Sequence, residues 1–187
     1  MLSRFVMSLV VLLVGMAMAR PSAAQNTQED LHAGPVIEQF GQHVDLPGAE
    51  FATRTDSVYK VAMEIHQPLT APERPHPRLN VAARLVNMLA HAGTPLENVR
   101  VTVVLHGGGG SAALTNEGYR KRYKIDNPNI PLLEALVEAG VEVFLCEQSR
   151  TITGVQADEV VAPVKSALSA ITTVLALQLE GYQFLTY

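Results

Sequence analysis

The sequence predicts an α/β fold: a single-domain, three-layer sandwich with a mainly parallel five-stranded sheet and helices on both faces. Two observations predict it. Short runs rich in apolar and β-branched residues alternate with segments whose apolar residues recur every three or four positions, and the connections between them are short. Strands that alternate with helices in this way pair in parallel, and such a sheet needs helices on both faces. No internal repeat or low-complexity segment breaks the pattern.

The first strand is predicted over Val58 to Ile65, where Val58, Val61, Met63 and Ile65 alternate with Lys60 out of step. A proline-rich loop follows His66. From Leu79 to Ala92, apolar Leu79, Ala82, Ala83, Val86, Leu89 and Ala90 mark one face of a helix, with Asn80, Arg84, Asn87 and His91 opposite and Gly93 closing it. Val99 to Leu105 is the second strand, running into His106 and four glycines. Ser111 to Lys124 reads as a polar helix ending in Arg120, Lys121, Arg122 and Lys124. Asn127 or Asn129 caps a further helix with core residues Leu132, Leu133, Leu136 and Val137, and Gly140 ends it. The third strand is Val141 to Leu145, the fourth spans Val164 to Leu168, a helix runs from Ala170 to Leu179, and "YQFLT" forms the last strand. Pro163, Lys165 and Gln178 argue against reading Val160 to Leu179 as a membrane span.

The chain opens with a different pattern. Arg4, an apolar run from Phe5 to Ala19 and the small residues Ser22-Ala23-Ala24 have the order of a secretory leader, and the run falls short of the roughly 20 residues that cross a bilayer. Residues 1–24 are therefore expected to be a signal peptide, residues 25–57 an extended arm broken by Gly34, Pro35, Pro47 and Gly48, and residues 58–187 the α/β domain. The expected location is outside the cytoplasm, periplasmic or secreted, with no membrane attachment once the leader is cut. Removing the leader takes away two arginines and no acids, leaving 12 basic against 18 acidic residues. That acidic balance disfavours nucleic acid as a partner.

Cys146 is the only cysteine, and it stands where the third strand ends. Exported proteins normally pair their cysteines, so a lone thiol is joined between chains, buried and inert, or kept free because it reacts. Parallel strands end on one edge, where ligands bind, so His106 and Cys146 are expected on the same edge. A nearby cation favours the reactive thiolate, which makes His106 a candidate partner; the adjacent Glu147 opposes it.

The glycines after His106 admit several readings. Gly107, Gly109 and Ala112 fit G-x-G-x-x-A, but Asp126, at the distance of the acidic partner, sits in a polar loop. The stretch is also like an esterase oxyanion loop, yet no G-x-S-x-G elbow accompanies it, and no G-K-[ST] follows to make a P-loop. The plainest reading is a flexible turn that lets backbone approach a neighbouring loop. No metal site or cofactor is expected: His32, His43, His66, His76, His91 and His106 are scattered without zinc-like spacing. The basic run Arg120 to Lys124 reads as a solvated helix face.

Several stretches, in order from Tyr59 to the end, resemble the DsrE/DsrF-like family and its exported members: "YKVAMEI", "LNVAARLVNMLAHAG", "VTVVLHG", "YRKRYKIDNPNIPLLEALVEAGVEVFLCEQS" and "VKSALSAITTVLALQLEGYQF". The resemblance implies the sandwich above and a tendency to form homo- or hetero-oligomers, with a homo-oligomer expected here. In sulfur-handling relatives the cysteine matching Cys146 accepts sulfur as a persulfide and passes it on. Together with the strand-end reading, the candidate site has Cys146 and His106 as catalytic residues, and Gly107, Gly108, Gly109, Gln148 and Ser149 as ligand-binding residues. The partner would be a sulfur donor or acceptor, either a protein or a small sulfur compound. Where relatives commonly read C-G-Q-S, this chain has Cys146-Glu147-Gln148-Ser149, which removes access to positive φ and places a carboxylate beside the thiol. Two functions follow: a persulfide sulfur carrier of sulfurtransferase type using Cys146, or a non-catalytic oligomeric module that binds a small ligand or a protein, with Cys146 buried.

Overall fold

A computed structural model describes residues 31–186. The leader expected at 1–24 lies outside the described residues. The elements follow as β1 (Tyr59–Ile65), α1 (Pro77–His91), β2 (Val99–Leu105), α2 (Asn116–Tyr123), α3 (Ile130–Glu138), β3 (Glu142–Cys146), α4 (Glu147–Ile152), β4 (Lys165–Ala167), α5 (Ala170–Leu179) and β5 (Gln183–Leu185). All strand pairs are parallel in the order β4-β3-β2-β1-β5. The first crossovers walk from β1 to β4 in one direction, and the last returns β5 to the other side of β1.

Strand alternation divides the side chains between two faces. Val61, Met63, Ile65, Val101, Val103, Leu105, Val143 and Leu145 join one core with Leu79, Ala82, Ala83 and Val86 of α1 and Leu132, Leu133 and Leu136 of α3. Ala62, Val104 and Cys146 point the other way and meet Ala170 and Leu177 of α5. Helices thus cover both faces, with α5 the helix packed over the second. Four of its neighbouring or own apolar residues stay open to solvent: Leu168 (71%), Ile171 (75%), Leu175 (55%) and Leu179 (90%). Among the described residues, no helix is long and apolar enough to cross a membrane.

The helix starts have local causes. His76 precedes Pro77, and its Nδ1 accepts from the Arg78 amide at 3.2 Å, giving α1 a side-chain cap. Asn129 caps α3 by position but without a side-chain bond. It is Asn127 that serves the turn, its Oδ1 accepting from Asn129 N at 2.9 Å while its Nδ2 reaches Ala112 O at 2.9 Å. The polar helix expected over Ser111 to Lys124 is two elements, a 3₁₀ turn at Gly107–Ala113 and α2. Thr115 caps α2 and Lys124 ends it at φ 66°. The basic residues of α2 are paired rather than simply solvated: Arg120 with Asp126, and Lys121 and Arg122 with Glu159 at 3.1 and 3.3 Å.

The polar side of α1 is a docking strip for the arm. Asn80 Oδ1 accepts from Gly41 N (2.9 Å), Arg84 Nε donates to Gln42 O (2.7 Å), and Asn87 takes the Ile37 amide on Oδ1 (2.9 Å) while its Nδ2 reaches Ile37 O and Phe40 O (3.0 and 2.9 Å). His91 meets Asp45. Gly41 has φ +67°, and a Cβ there would lie 2.3 Å from the Arg84 nitrogen, so the close approach requires glycine.

Candidate functional site

Three strand ends converge on the second face. Glu64 lies two residues beyond Ala62 in β1, His106 two beyond Val104 in β2, and Cys146 closes β3; all three line one cleft of about 450 Å³ with Gln148, Ser149, Ser169, Ala170, Ile171, Val174 and Leu175. The parallel register aligns Glu64 with Val104 and Leu105 with Leu145, so His106 and Cys146 stand level and Glu64 two residues short of them on the same face. His106 and Cys146 therefore share an edge and a cleft, as expected.

Cys146 is 4% exposed and packs against Ala62, Val104, Ala170 and Leu177, yet it also forms part of the cleft wall. It is the N-cap of α4, and its Sγ accepts from the Ser149 amide at 3.4 Å. Burial is the largest influence on the thiol and pushes its pKa up. The Ser149 hydroxyl and the backbone N–H groups of Ser149, Ala170 and Gln148 oppose it and together hold the thiol below its ordinary value. The thiolate is thus supported by donors from the starts of α4 and α5.

Glu147 does not play the opposing role expected of it. Arg150 grips its carboxylate at 2.7 and 2.8 Å, and Glu147 lines a separate cleft with Ala157 and Lys165. Its backbone is the first residue of α4, and among the described residues the one non-glycine at positive φ is Lys124, so replacing glycine here costs no strain.

His106 does not contact Cys146 as its hydrogen-bond partner. Its Nε2 meets the Glu64 carboxylate, close enough for an ion pair but not aligned as a hydrogen bond, and its ring lies 5.6 Å from that of His66. The four glycines are not a flexible turn: they begin a 3₁₀ turn pressed on the β1 loop. A Cβ at Gly109 would come 2.3 Å from Ile65 O, so Gly109 is needed for that contact. Its amide donates to His66 O (3.2 Å), and the Gly107 amide donates to Ser149 Oγ (3.1 Å), so neither is free for a ligand. Gly107 instead steadies Ser149, whose own amide donates to the thiol sulfur. Gly107 and Gly108 line a second pocket of about 200 Å³ with Ser149, Arg122 and Tyr123, which makes Ser149 the wall between the two cavities. Gln148 is exposed at the cleft mouth.

Sequence reasoning missed Glu64 and the Ala170 amide. Glu64 was readable from alternation, since it interrupts an apolar strand on the parity that leads to the same face as His106. The Ala170 donor required knowing that α5 returns over β3.

No curated protein matches the chain. Among solved structures, a protein of unknown function, MTH1491 from Methanobacterium thermoautotrophicum, is similar with a TM-score of 0.52 at 20% identity, covering 68% of this chain and 97% of that one. The ychN protein from E. coli aligns with a TM-score of 0.47 at 16% identity, covering 69% and 99%. The first of these likenesses supports the fold alone. The profile of the DsrE/DsrF-like family matches residues 69–187, the stretch that holds α1, the glycine turn, Cys146 and α5. Because that match spans most of the chain and the parallel five-stranded sheet agrees with it, the chain belongs to the DsrE/DsrF-like family, whose members work generally in sulfur relay.

Proposed function

We propose that the protein is a sulfur carrier in which Cys146 holds one sulfur atom as a persulfide. The observation that carries this reading is a thiol held below its ordinary pKa by donors from two helix starts, in the wall of a cleft shared with His106 and Glu64. In the loading step the Cys146 thiolate attacks the outer sulfur of a sulfane donor R–S–SH. The S–S bond of the donor breaks as the new Cys146 S–S bond forms, and the departing R–S⁻ takes a proton from the cleft, where His106 is the titratable donor. Unloading is the same exchange onto an acceptor thiol, so no external oxidant or reductant is needed. Glu64 keeps the His106 ring turned into the cleft. Incubating the protein with polysulfide and measuring intact mass tests this: the wild type gains sulfur and Cys146→Ser does not. An unloaded wild type, or equal loading of the variant, overturns it.

The alternative, a binding module that assembles, draws on the open apolar residues of α5. Ile171 and Leu175 belong both to this patch and to the wall of the Cys146 cleft, so a second copy seated there would roof the thiol. Self-association and sulfur carriage are compatible on this geometry. Light scattering should show an oligomer that Ile171→Glu with Leu175→Glu converts to monomer; a wild-type monomer at high concentration removes the assembly. Export belongs to the same proposal. A mature protein outside the cytoplasm beginning at Gln25 supports it, and an intact Met1 in the cytoplasm overturns it.

A further inference from the structure

The arm and the end of α1 bring together three side chains far apart in sequence: His43, Asp45 and His91. One ligand atom from each lies within 4.8 Å of the other two. His91 Nε2 is 2.9 Å from Asp45 Oδ1, His43 Nε2 is 3.8 Å from the same oxygen, and the two imidazole rings meet edge to face at 4.8 Å between centroids. His91 and Asp45 are about half open to solvent.

His43 is the unusual member. Its side chain is 4% exposed, and neither Nδ1 nor Nε2 has a hydrogen-bond partner. Leaving a buried polar group unpaired costs about 1–3 kcal/mol, and native proteins do so rarely, so such a group asks for a reason. The position of His43 is not an accident of a loose loop. Its backbone forms a two-bond bridge with His32 (2.8 and 3.2 Å), and the arm just before it is tied to Asn80, Arg84 and Asn87 through Gly41, Gln42 and Ile37. The chain is held so that an imidazole without a partner faces a carboxylate and a second imidazole. Burial, with the nearby His91, lowers the His43 pKa against the pull of Asp45.

We propose that His43, Asp45 and His91 bind a divalent transition-metal ion of the zinc class and that the ion fastens the arm to the C-terminal end of α1. Two imidazoles and a carboxylate are the donor set of zinc and its neighbours rather than of the harder calcium or magnesium. A tetrahedral ion with bonds of about 2.0–2.1 Å holds its ligand atoms roughly 3.3 Å apart. The observed 2.9 and 3.8 Å bracket that spacing, and rotation of the two half-exposed side chains has to close the remaining pair, which lies within 4.8 Å. Three protein ligands leave a fourth position for water. This site is separate from the Cys146 cleft, and His66, His106 and Glu64 form the second convergent group.

Competition between the chelator-treated protein and a chromophoric zinc indicator tests the assignment, with cobalt(II) absorption reporting coordination. The expected result is one zinc per chain and a tetrahedral cobalt spectrum. Asp45→Asn and His91→Gln, both at half-exposed positions where the fold should persist, are expected to weaken zinc at least about 100-fold. Zinc should also slow protease cleavage in the arm of the wild type and not of these variants. No stoichiometric binding, or unchanged binding in both variants, overturns the proposal. So does binding that survives in them but vanishes in Cys146→Ser or His66→Gln, which would put the ion in the other cluster.

Discussion

On one face of the sheet, α1 and α3 bury an unbroken field of apolar side chains from three strands; on the other, α5 packs over Ala62, Val104 and Cys146 and leaves much of its own apolar surface in water. The difference separates stability from chemistry. The packing of the thick face supplies most of the apolar burial on which folding depends. The thin face ends in a cleft, where Cys146 and Ser149 are bonded to the backbone turns beside them. On the thin face Cys146 is buried against Ala62, Val104, Ala170 and Leu177 and still forms part of the cleft wall.

The largest effect expected from breaking this division is Cys146→Ser, which should abolish sulfur loading, read by intact mass, while leaving the unfolding midpoint nearly unchanged. On the thick face, Leu133→Ala removes a side chain that is fully buried and should cost about 2–5 kcal/mol in urea denaturation without altering the reactivity of the thiol once folded. Ser149→Ala tests the donors directly. The wild-type thiol sits below its ordinary pKa, so its thiolate persists to lower pH than that of a free cysteine. The variant loses one of the donors that bring this about, its thiol pKa rises, and alkylation near neutral pH slows by up to about tenfold per unit of that rise. A rate profile that does not move would remove Ser149 from the site.

The loops beyond the strand ends are held apart from either face, by a small apolar cluster of Leu114, Tyr119 and Val155 and by the ion pairs of Glu159. The Gln156 amide, with Arg122 and Lys121, holds the Glu159 carboxylate down at about 2 against an ordinary 4.5. A depressed carboxylate stabilises the fold fully above its unfolded pKa, so that contribution should fade as pH falls from about 4.5 to about 2. Glu159→Gln should flatten the stability profile across that window, as followed by thermal melts. The smallest effect belongs to the thin face itself. Leu175→Ala should change the stability of a single chain by no more than about 0.5 kcal/mol, and a larger loss would mean that the residue is covered.

Much of this architecture was legible in the sequence, and for identifiable reasons. The strand bounds of β2 and the limits of α5 follow from β-branched runs and from apolar spacing, signals that depend on neighbours in the chain. The shared edge of His106 and Cys146 followed from parallel pairing. What was not legible depended on partners distant in sequence. The short helix α4 has no apolar period, and its cap is a cysteine, a residue that gives no usual helix signal. Glu147 looked like an obstacle because its bond to Arg150 arises only once that turn is helical. The strip Asn80, Arg84, Asn87 and His91 looked like a solvent face, since nothing local shows that an arm with few apolar residues will lie on it. The histidines looked scattered for the same reason: spacing along the chain says nothing about residues joined by a folded-back segment.

Strand β3 carries five residues between the turn after α3 and the start of α4, with Val143 and Leu145 turned toward one layer and Cys146 toward the other. Because side chains alternate at every step, deleting a single residue ahead of the cysteine would swing the sulfur under α1 and α3 and lift a leucine into the cleft. Counting is therefore as strict a requirement here as chemistry. A relative that keeps the cysteine but changes the parity of this strand has lost the site, whereas one that lengthens it by two could keep it.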